Sequence, residues 1–187
     1  MRKLTVFNHV SFDGYFVDAN GSMRWAKVAD DPEWNEFVSE NASGAGTLLF
    51  GRVTYDLMNS YWPTPMAHDH APEVAERMNS APKVVFSRTM YKATWNNTTL
   101  IKSDIVDQIR KMKKESGEGM VIMGSGSIIA QLAPEGVIDE YQVVVNPIVL
   151  GAGRTMFEGL KNRIGLKQKS SRVFKNGNVY LCYEPES

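Results

Sequence analysis

The chain has a single cysteine, Cys182, among 187 residues. One thiol excludes an internal disulfide and any cysteine-rich zinc site. It sits in the apolar run VYLCYE at residues 179–184, which fits a buried, inert thiol rather than a nucleophile. Excess charge is missing too. The 21 basic and 21 acidic residues cancel, so there is no electrostatic case for nucleic acid or an anionic membrane as a partner. No apolar run approaches the roughly 18 residues that a membrane span needs. The opening MRKLTVFNHV is too short and too polar for a secretory signal. These absences lead to the expectation of a cytoplasmic protein. Histidine is scarce at three residues. His68 and His70 flank Asp69 in a proline-rich stretch, without the cysteine or further histidine partners that a zinc site uses, so no metal is expected.

Against these absences stand an apolar share of 43% and a charged share of 22%, ordinary for a chain that buries a core. With no repeat, low-complexity tract or evident linker, residues 1–187 are read as one domain. Its centre is the stretch GMVIMGSGSIIAQLAPEG at residues 119–136. Met120, Val121, Ile122 and Met123 form an apolar run suited to a strand buried on both faces. Gly124-Ser125-Gly126-Ser127 follows, and Ile128, Ile129 and Leu132 fall at helical spacing until Pro134 and Gly136 stop the helix. Two residues without β-carbons let a ligand approach the backbone closely, and the amino end of the helix suits a phosphate. The alternative is a plain strand-to-helix turn capped by Ser125 or Ser127.

Two similar arrangements precede it. Residues 47–50 read as a buried strand that ends at Gly51-Arg52-Val53-Thr54-Tyr55 and opens a helix carrying Val53, Leu57 and Met58. An arginine in a first turn opposes the helix dipole, so it calls for an anionic ligand or a surface carboxylate. Residues 83–86 (KVVF) read as a strand ended by Ser87-Arg88-Thr89, a set that holds a phosphate monoester or forms a polar loop.

Elsewhere, residues 4–10 read as the first strand, followed by a long irregular loop through the turn signal DANG to Met23-Arg24-Trp25. Asp31-Pro32-Glu33 is a helix start with Asp31 as N-cap, and Trp34, Phe37 and Val38 share a face. Residues 60–82 hold one short helix near Glu73 to Met78. A strand at 98–101 precedes a helix capped by Ser103 or Asp104, with Ile105, Ile109 and Met112 on its core face. The last third is β: a strand at 141–146 interrupted by Pro147, then a hairpin at Asn176-Gly177 expected to be type I′. Strands and helices alternate first and antiparallel strands come last. This is an α/β three-layer domain with a mixed, mostly parallel central sheet, helices on both faces and antiparallel C-terminal strands.

The order and spacing of the three turns resemble the dihydrofolate reductase superfamily over nearly the whole chain. The resemblance is stronger to the branch containing the riboflavin-pathway pyrimidine reductase domain. The branch residues are Ser11-Phe12-Asp13-Gly14 near the start and Asn146-Pro147-Ile148-Val149-Leu150-Gly151-Ala152-Gly153 with Phe157 near the end. The resemblance implies a dihydrofolate-reductase-like fold and NADPH as cofactor. Gly51, Arg52 and Thr54 match the turn that meets the phosphates and nicotinamide side. Ser87 and Arg88 match the holder of the 2′-phosphate. Gly124, Ser125, Gly126, Ser127 and Ile128 match the pyrophosphate turn. The implied reaction is hydride transfer to an electron-poor C=N or C=O carbon of a small pyrimidine-type or related substrate. The loop through Trp25 resembles the mobile cover of the nicotinamide and places Trp25 at the substrate. In folate-specific members a carboxylate follows that tryptophan by five positions, here Asp30. Asp13, from the branch signature, is the other catalytic candidate, against its reading as a turn-forming aspartate. No deaminase zinc ligands accompany the reductase pattern. The alternatives are a dihydrofolate reductase proper and a non-catalytic NADPH-binding protein. The apolar strand at 141–150 and the C-terminal edge suggest a homodimer.

Overall fold

The computed structural model describes residues 1–26, 31–44 and 46–186. An eight-stranded sheet runs in the order β5-β4-β3-β6-β1-β7-β10-β9. Its strands are β1 (Leu4–Ser11), β3 (Thr47–Gly51), β4 (Lys83–Phe86), β5 (Thr98–Ile101), β6 (Met120–Met123), β7 (Glu140–Asn146), β9 (Leu166–Val173) and β10 (Val179–Pro185). The strands from β5 to β7 pair in parallel, whereas β10 is antiparallel to both β7 and β9. This is the mostly parallel α/β sheet with antiparallel C-terminal strands that the sequence pattern implies.

The apolar runs have a physical cause. In β3, Leu49 packs into one core, with Ile105 and Ile109 of α5 (Ile105–Lys114) and Ile128 and Leu132 of α6 (Gly126–Leu132). Its neighbours Leu48 and Phe50 point the other way, to Tyr55 of α2 (Arg52–Tyr61) and Met78 of α4 (Pro72–Ser80). Successive side chains alternate faces, and both faces are covered, so no position in the strand can be polar without cost. A third cluster seats Trp34 and Phe37 of α1 (Pro32–Gly44) on Val144, Phe174 and Tyr180. Asp31 starts α1 as expected: its Oδ1 accepts from the amides of Glu33 and Trp34 at 3.1 and 3.4 Å.

Three local readings need correction. The loop after β1 is not irregular throughout. It contains β2 (Tyr15–Asp18), paired antiparallel with β8 (Gly153–Thr155). The stretch at 60–82 holds two helices, α3 (Pro65–His70) and α4; α3 is started by Thr64, whose hydroxyl accepts from the Ala67 amide at 3.3 Å, and by Pro65. The hairpin at Asn176-Gly177 is not type I′, which requires positive φ at both central residues. Gly177 has φ +90°, whereas Asn176 is not among the residues with positive φ. Phe174 donates to Asn178 O and Gly177 donates to Phe174 O, giving a three-residue loop that ends in a left-handed glycine. Tertiary contact decides this form: Asp31 Oδ2 accepts the Asn176 amide at 3.1 Å, tying the hairpin to the start of α1.

Candidate functional site

Parallel neighbours open their carboxyl ends on one edge of the sheet, and β4, β3 and β6 are consecutive there. The three turns predicted from sequence therefore converge. They line a cleft of about 470 Å³ that holds Gly51, Arg52 and Thr54, then Ser87 and Arg88, then Ser125, Gly126, Ser127 and Ile128. Gly124 lies just beyond, in the wall of a second cavity of about 470 Å³ on the α1–α2–α4 face.

The turns are locked to each other. Thr54 Oγ1 accepts the Ser125 amide at 3.1 Å, and Ser125 Oγ accepts the Gly51 amide at 2.9 Å while donating to Met123 O at 3.0 Å. Ser125 is the N-cap residue of α6 by position but gives α6 no side-chain cap, because its hydroxyl is spent on the neighbouring turn. It is left-handed at φ 55° and ψ 50°, a conformation that a non-glycine residue holds only when its surroundings impose it. The two glycines also differ from their sequence reading. A β-carbon on Gly124 would lie 2.8 Å from Thr54 Cγ2, and one on Gly126 would lie 2.8 Å from Phe16 Cε1. The space that a ligand was expected to use is filled by Thr54 and by Phe16 of β2. These glycines are required for packing the turns together, and the cleft lies against the result.

The electrostatics of the cleft are one-sided. Arg52, Arg88, Lys102 and Arg154 line it, and no carboxylate does so among the described residues. Arg52 has the surface carboxylate that was one of its two expected partners, Asp56, at 3.4 Å, but both side chains are half-exposed; such a pair contributes little and leaves the guanidinium available to the cleft. Ser87 turns inward on its own loop, its Oγ accepting from the Met90 amide at 3.0 Å. Lys102 and Arg154 were missed in the sequence. Lys102 had a signal, since it follows the last residue of β5 as Arg52 follows the last residue of β3. Arg154 had none, because β8 has no apolar pattern to reveal it.

Of the catalytic and substrate candidates, Asp30 lies outside the described residues. Asp13 lines neither cavity. Its Oδ1 accepts from Ser11 Oγ at 2.6 Å and from the Leu150 amide at 3.1 Å, and its Oδ2 accepts from the Gly151 amide at 2.8 Å. The Ser11 hydroxyl bond, aided by these amides against a desolvation effect, holds its carboxyl below the usual value. An ionised carboxylate with its oxygens so engaged is a clamp between two turns. This explains why the two signature stretches occur together: one supplies the carboxylate and the other the amides. Trp25 lines neither cavity; its indole N–H donates to Ser22 O at 3.0 Å. Met23 from the same segment reaches both cavities.

The second cavity was not foreseen. Its walls are mainly apolar, and β1 contributes Thr5, Phe7, Asn8 and His9. Asn8 is buried; its Nδ2 donates to Gly124 O at 3.2 Å and to Met156 Sδ at 2.8 Å, leaving its Oδ1 buried without a partner. Burial pulls the His9 imidazole down to about 4, outweighing the opposing influence of Asn146, so the ring is neutral at physiological pH. The histidines and acid at residues 68–70 lie on α3 away from both cavities, and no metal-holding cluster of His, Cys, Asp or Glu occurs among the described residues. No described helix is long and apolar enough to cross a membrane.

The mostly parallel sheet, closed by antiparallel C-terminal strands, is a dihydrofolate-reductase-like fold. Residues 2–180 match the RibD C-terminal domain, and the chain belongs to that family. It is 30% identical over 182 residues to the uncharacterized protein YyaP of Bacillus subtilis (strain 168), covering 97% of this chain and 94% of that one. The structure of a putative riboflavin biosynthesis protein from Shewanella sp. PV-4 superposes with a TM-score of 0.77 at 23% identity, covering 99% of each chain. Dihydrofolate reductase from Enterococcus faecalis, complexed with NADP(H) and RAB-propyl, superposes with a TM-score of 0.64 at 16% identity, covering 99% of this chain and 97% of that one. These two structures share the fold.

Proposed function

We propose that this protein is an NADPH-dependent reductase of a small pyrimidine-type or related substrate, with the dinucleotide in the cationic cleft and the substrate in the adjoining cavity. The observation that carries the proposal is the convergence of four cations from four separate segments, Arg52, Arg88, Lys102 and Arg154, with no lining carboxylate among the described residues. A dinucleotide with an additional phosphate suits such a donor set, and a planar guanidinium suits a phosphate monoester.

When bound, NADPH supplies the hydride. The chain supplies the rest. Arg88, and Arg52 at the start of α2, would hold the phosphate groups, while the turn at 125–127 would position the nucleotide along the sheet edge. Met23 and the Gly124–Ser125 peptide separate the cleft from the second cavity, because Met23 borders both and the two turn residues border one each. At this boundary Met23, with Phe16 and Val17 of β2 in the wall of the cleft, would limit the access of water. A proton donor is needed at the second cavity; Asp13, clamped to residues 150–151, lines neither cavity, and the carboxylate among the described wall residues is Glu40.

Titration with NADPH and NADH, read by tryptophan quenching, tests the proposal. NADPH is expected to bind at micromolar concentration and NADH more weakly, with the difference abolished in Arg88→Ala or Arg52→Ala. Absence of binding by either nucleotide refutes the reductase reading.

A further inference from the structure

The second cavity carries information about the substrate, resting on the reading just given. One of its polar wall residues is His9. The ring sits between the edges of Phe7 and Trp34, with centroids at 5.8 and 5.7 Å and interplanar angles of 88° and 80°. Its Nδ1 lies 3.4 Å from Asn146 Nδ2. The orientation of that amide is fixed, because Nδ2 donates to Val10 O at 3.1 Å and to Val144 O at 3.0 Å; a flipped amide would set its oxygen against two carbonyls. Both N–H groups of that amide are spent on these carbonyls and its nitrogen cannot accept, so a proton on Nδ1 would find no partner there; the proton of the neutral imidazole sits on Nε2. Among the described residues Nε2 has no protein partner, and His9 is a wall residue of the cavity.

The walls also include Leu48, Met58, Trp62, Met78 and Met123. Thioethers and an indole form a slot that adapts to a flat, apolar ring system. The charged wall residues are one of each sign, Glu40 and Arg77, and Arg77 already reaches Gly46 O at 3.5 Å and Glu118 Oε2 at 3.9 Å; unlike the cleft with its four cations, the cavity offers a phosphate dianion no net positive charge against the loss of its hydration. We propose that His9 determines specificity in this cavity: its Nε2–H donates to a carbonyl or ring-nitrogen acceptor of an uncharged, planar heterocycle, and the cavity selects such a compound over a phosphorylated one.

The probes are lumazine, an uncharged bicyclic heterocycle, and uridine 5′-monophosphate, a phosphorylated pyrimidine, each titrated into the NADPH-saturated protein. NADPH affinity is measured first on every variant, so that failure of the reductase reading appears as lost nucleotide binding in the wild type and failure of the present inference appears with nucleotide binding intact. Lumazine is expected to bind more tightly than the monophosphate by about tenfold or more. His9→Phe keeps the ring shape and removes the donor; it weakens lumazine about tenfold, the equivalent of one hydrogen bond, with NADPH unchanged. His9→Gln restores part of the loss. Nitrogen NMR on the wild type is independent of variant folding: at pH 7 one histidine shows the Nε2–H tautomer, distinguishable from the exposed His68 and His70. Tighter binding of the monophosphate, undetectable lumazine binding at millimolar concentration, an unchanged lumazine affinity in folded His9→Phe, or an Nδ1–H or imidazolium signal for His9 overturns the proposal.

Discussion

Replacing Gly124 by alanine tests the claim that the glycine turn is shaped by packing against α2. Gly124 has φ +59°, and an L-residue in the left-handed region costs about 1–2 kcal/mol. The added β-carbon would meet Thr54 Cγ2 at 2.8 Å and Thr54 Oγ1 at 3.0 Å. Overpacking of this kind costs about 1–3 kcal/mol. Thr54 cannot retreat freely, because its hydroxyl accepts the Ser125 amide. Since relaxation removes part of the clash, Gly124→Ala is expected to lower stability by about 2–4 kcal/mol in urea unfolding. The diagnostic step is Thr54→Ser, which deletes Cγ2 and keeps the hydroxyl. In the double variant Gly124→Ala/Thr54→Ser the closest contact is gone while the left-handed strain and the tight Oγ contact remain. The two substitutions should therefore couple favourably by about 1 kcal/mol. A loss below about 1 kcal/mol for Gly124→Ala, or strict additivity with Thr54→Ser, would refute the packing argument and restore the turn to a role set by ligand access alone.

Asp31→Ala should cost about 2–3 kcal/mol in the same assay, because it removes both the cap of α1 and the acceptor for the Asn176 amide; Asp31→Asn, which keeps one acceptor, should cost less, and equal losses would refute the double role. Glu140 is buried, which pushes its carboxyl up, but hydrogen bonds from Lys169, Lys3 and Gln142 outweigh this and bring it to about 2. Its folded value lies below the unfolded one, so its contribution is present above pH about 4.5 and is lost as pH falls toward about 2. The half-exposed lysines reduce the value of the cluster, and Glu140→Gln should cost about 1–3 kcal/mol at pH 7. The gap from wild type should narrow in denaturation curves taken from pH 5 downward; a gap that widens there contradicts the assignment. Cys182 is buried, and burial pushes its thiol up. It should resist an aromatic disulfide reagent in the native protein at pH 7.5 and react at once after unfolding; rapid native labelling would place it at the surface.

The central strands were legible because their environment is uniform. β3, β4 and β6 are covered on both faces, so burial wrote itself into the sequence as apolar runs, and the glycine or arginine after each run marked where the sheet edge begins. The start of α1 was equally plain, since capping chemistry is local: one aspartate and one proline suffice. From these the order of elements, the fold class and two of the cations of the cleft, Arg52 and Arg88, could be read before any coordinates.

What local pattern could not supply is everything made by two distant segments at once. β8 is Gly-Arg-Thr and exists because β2 pairs with it, so Arg154 reached the cleft unannounced. The glycines at 124 and 126 looked like openings, and only Thr54 and Phe16, remote in sequence, show that the openings are filled. Asp13 looked equally suited to a turn or to proton transfer until residues 150–151 were seen to occupy its oxygens. His9 passed as one more strand residue, because its tautomer depends on an asparagine 137 positions away. The sequence by itself determined which surfaces are apolar and where helices and strands begin, since these follow from burial and capping of neighbouring residues. The tertiary structure alone decided which side chains spend their polar atoms on each other and which keep them for a ligand, because that depends on distances between strands that the chain order does not encode.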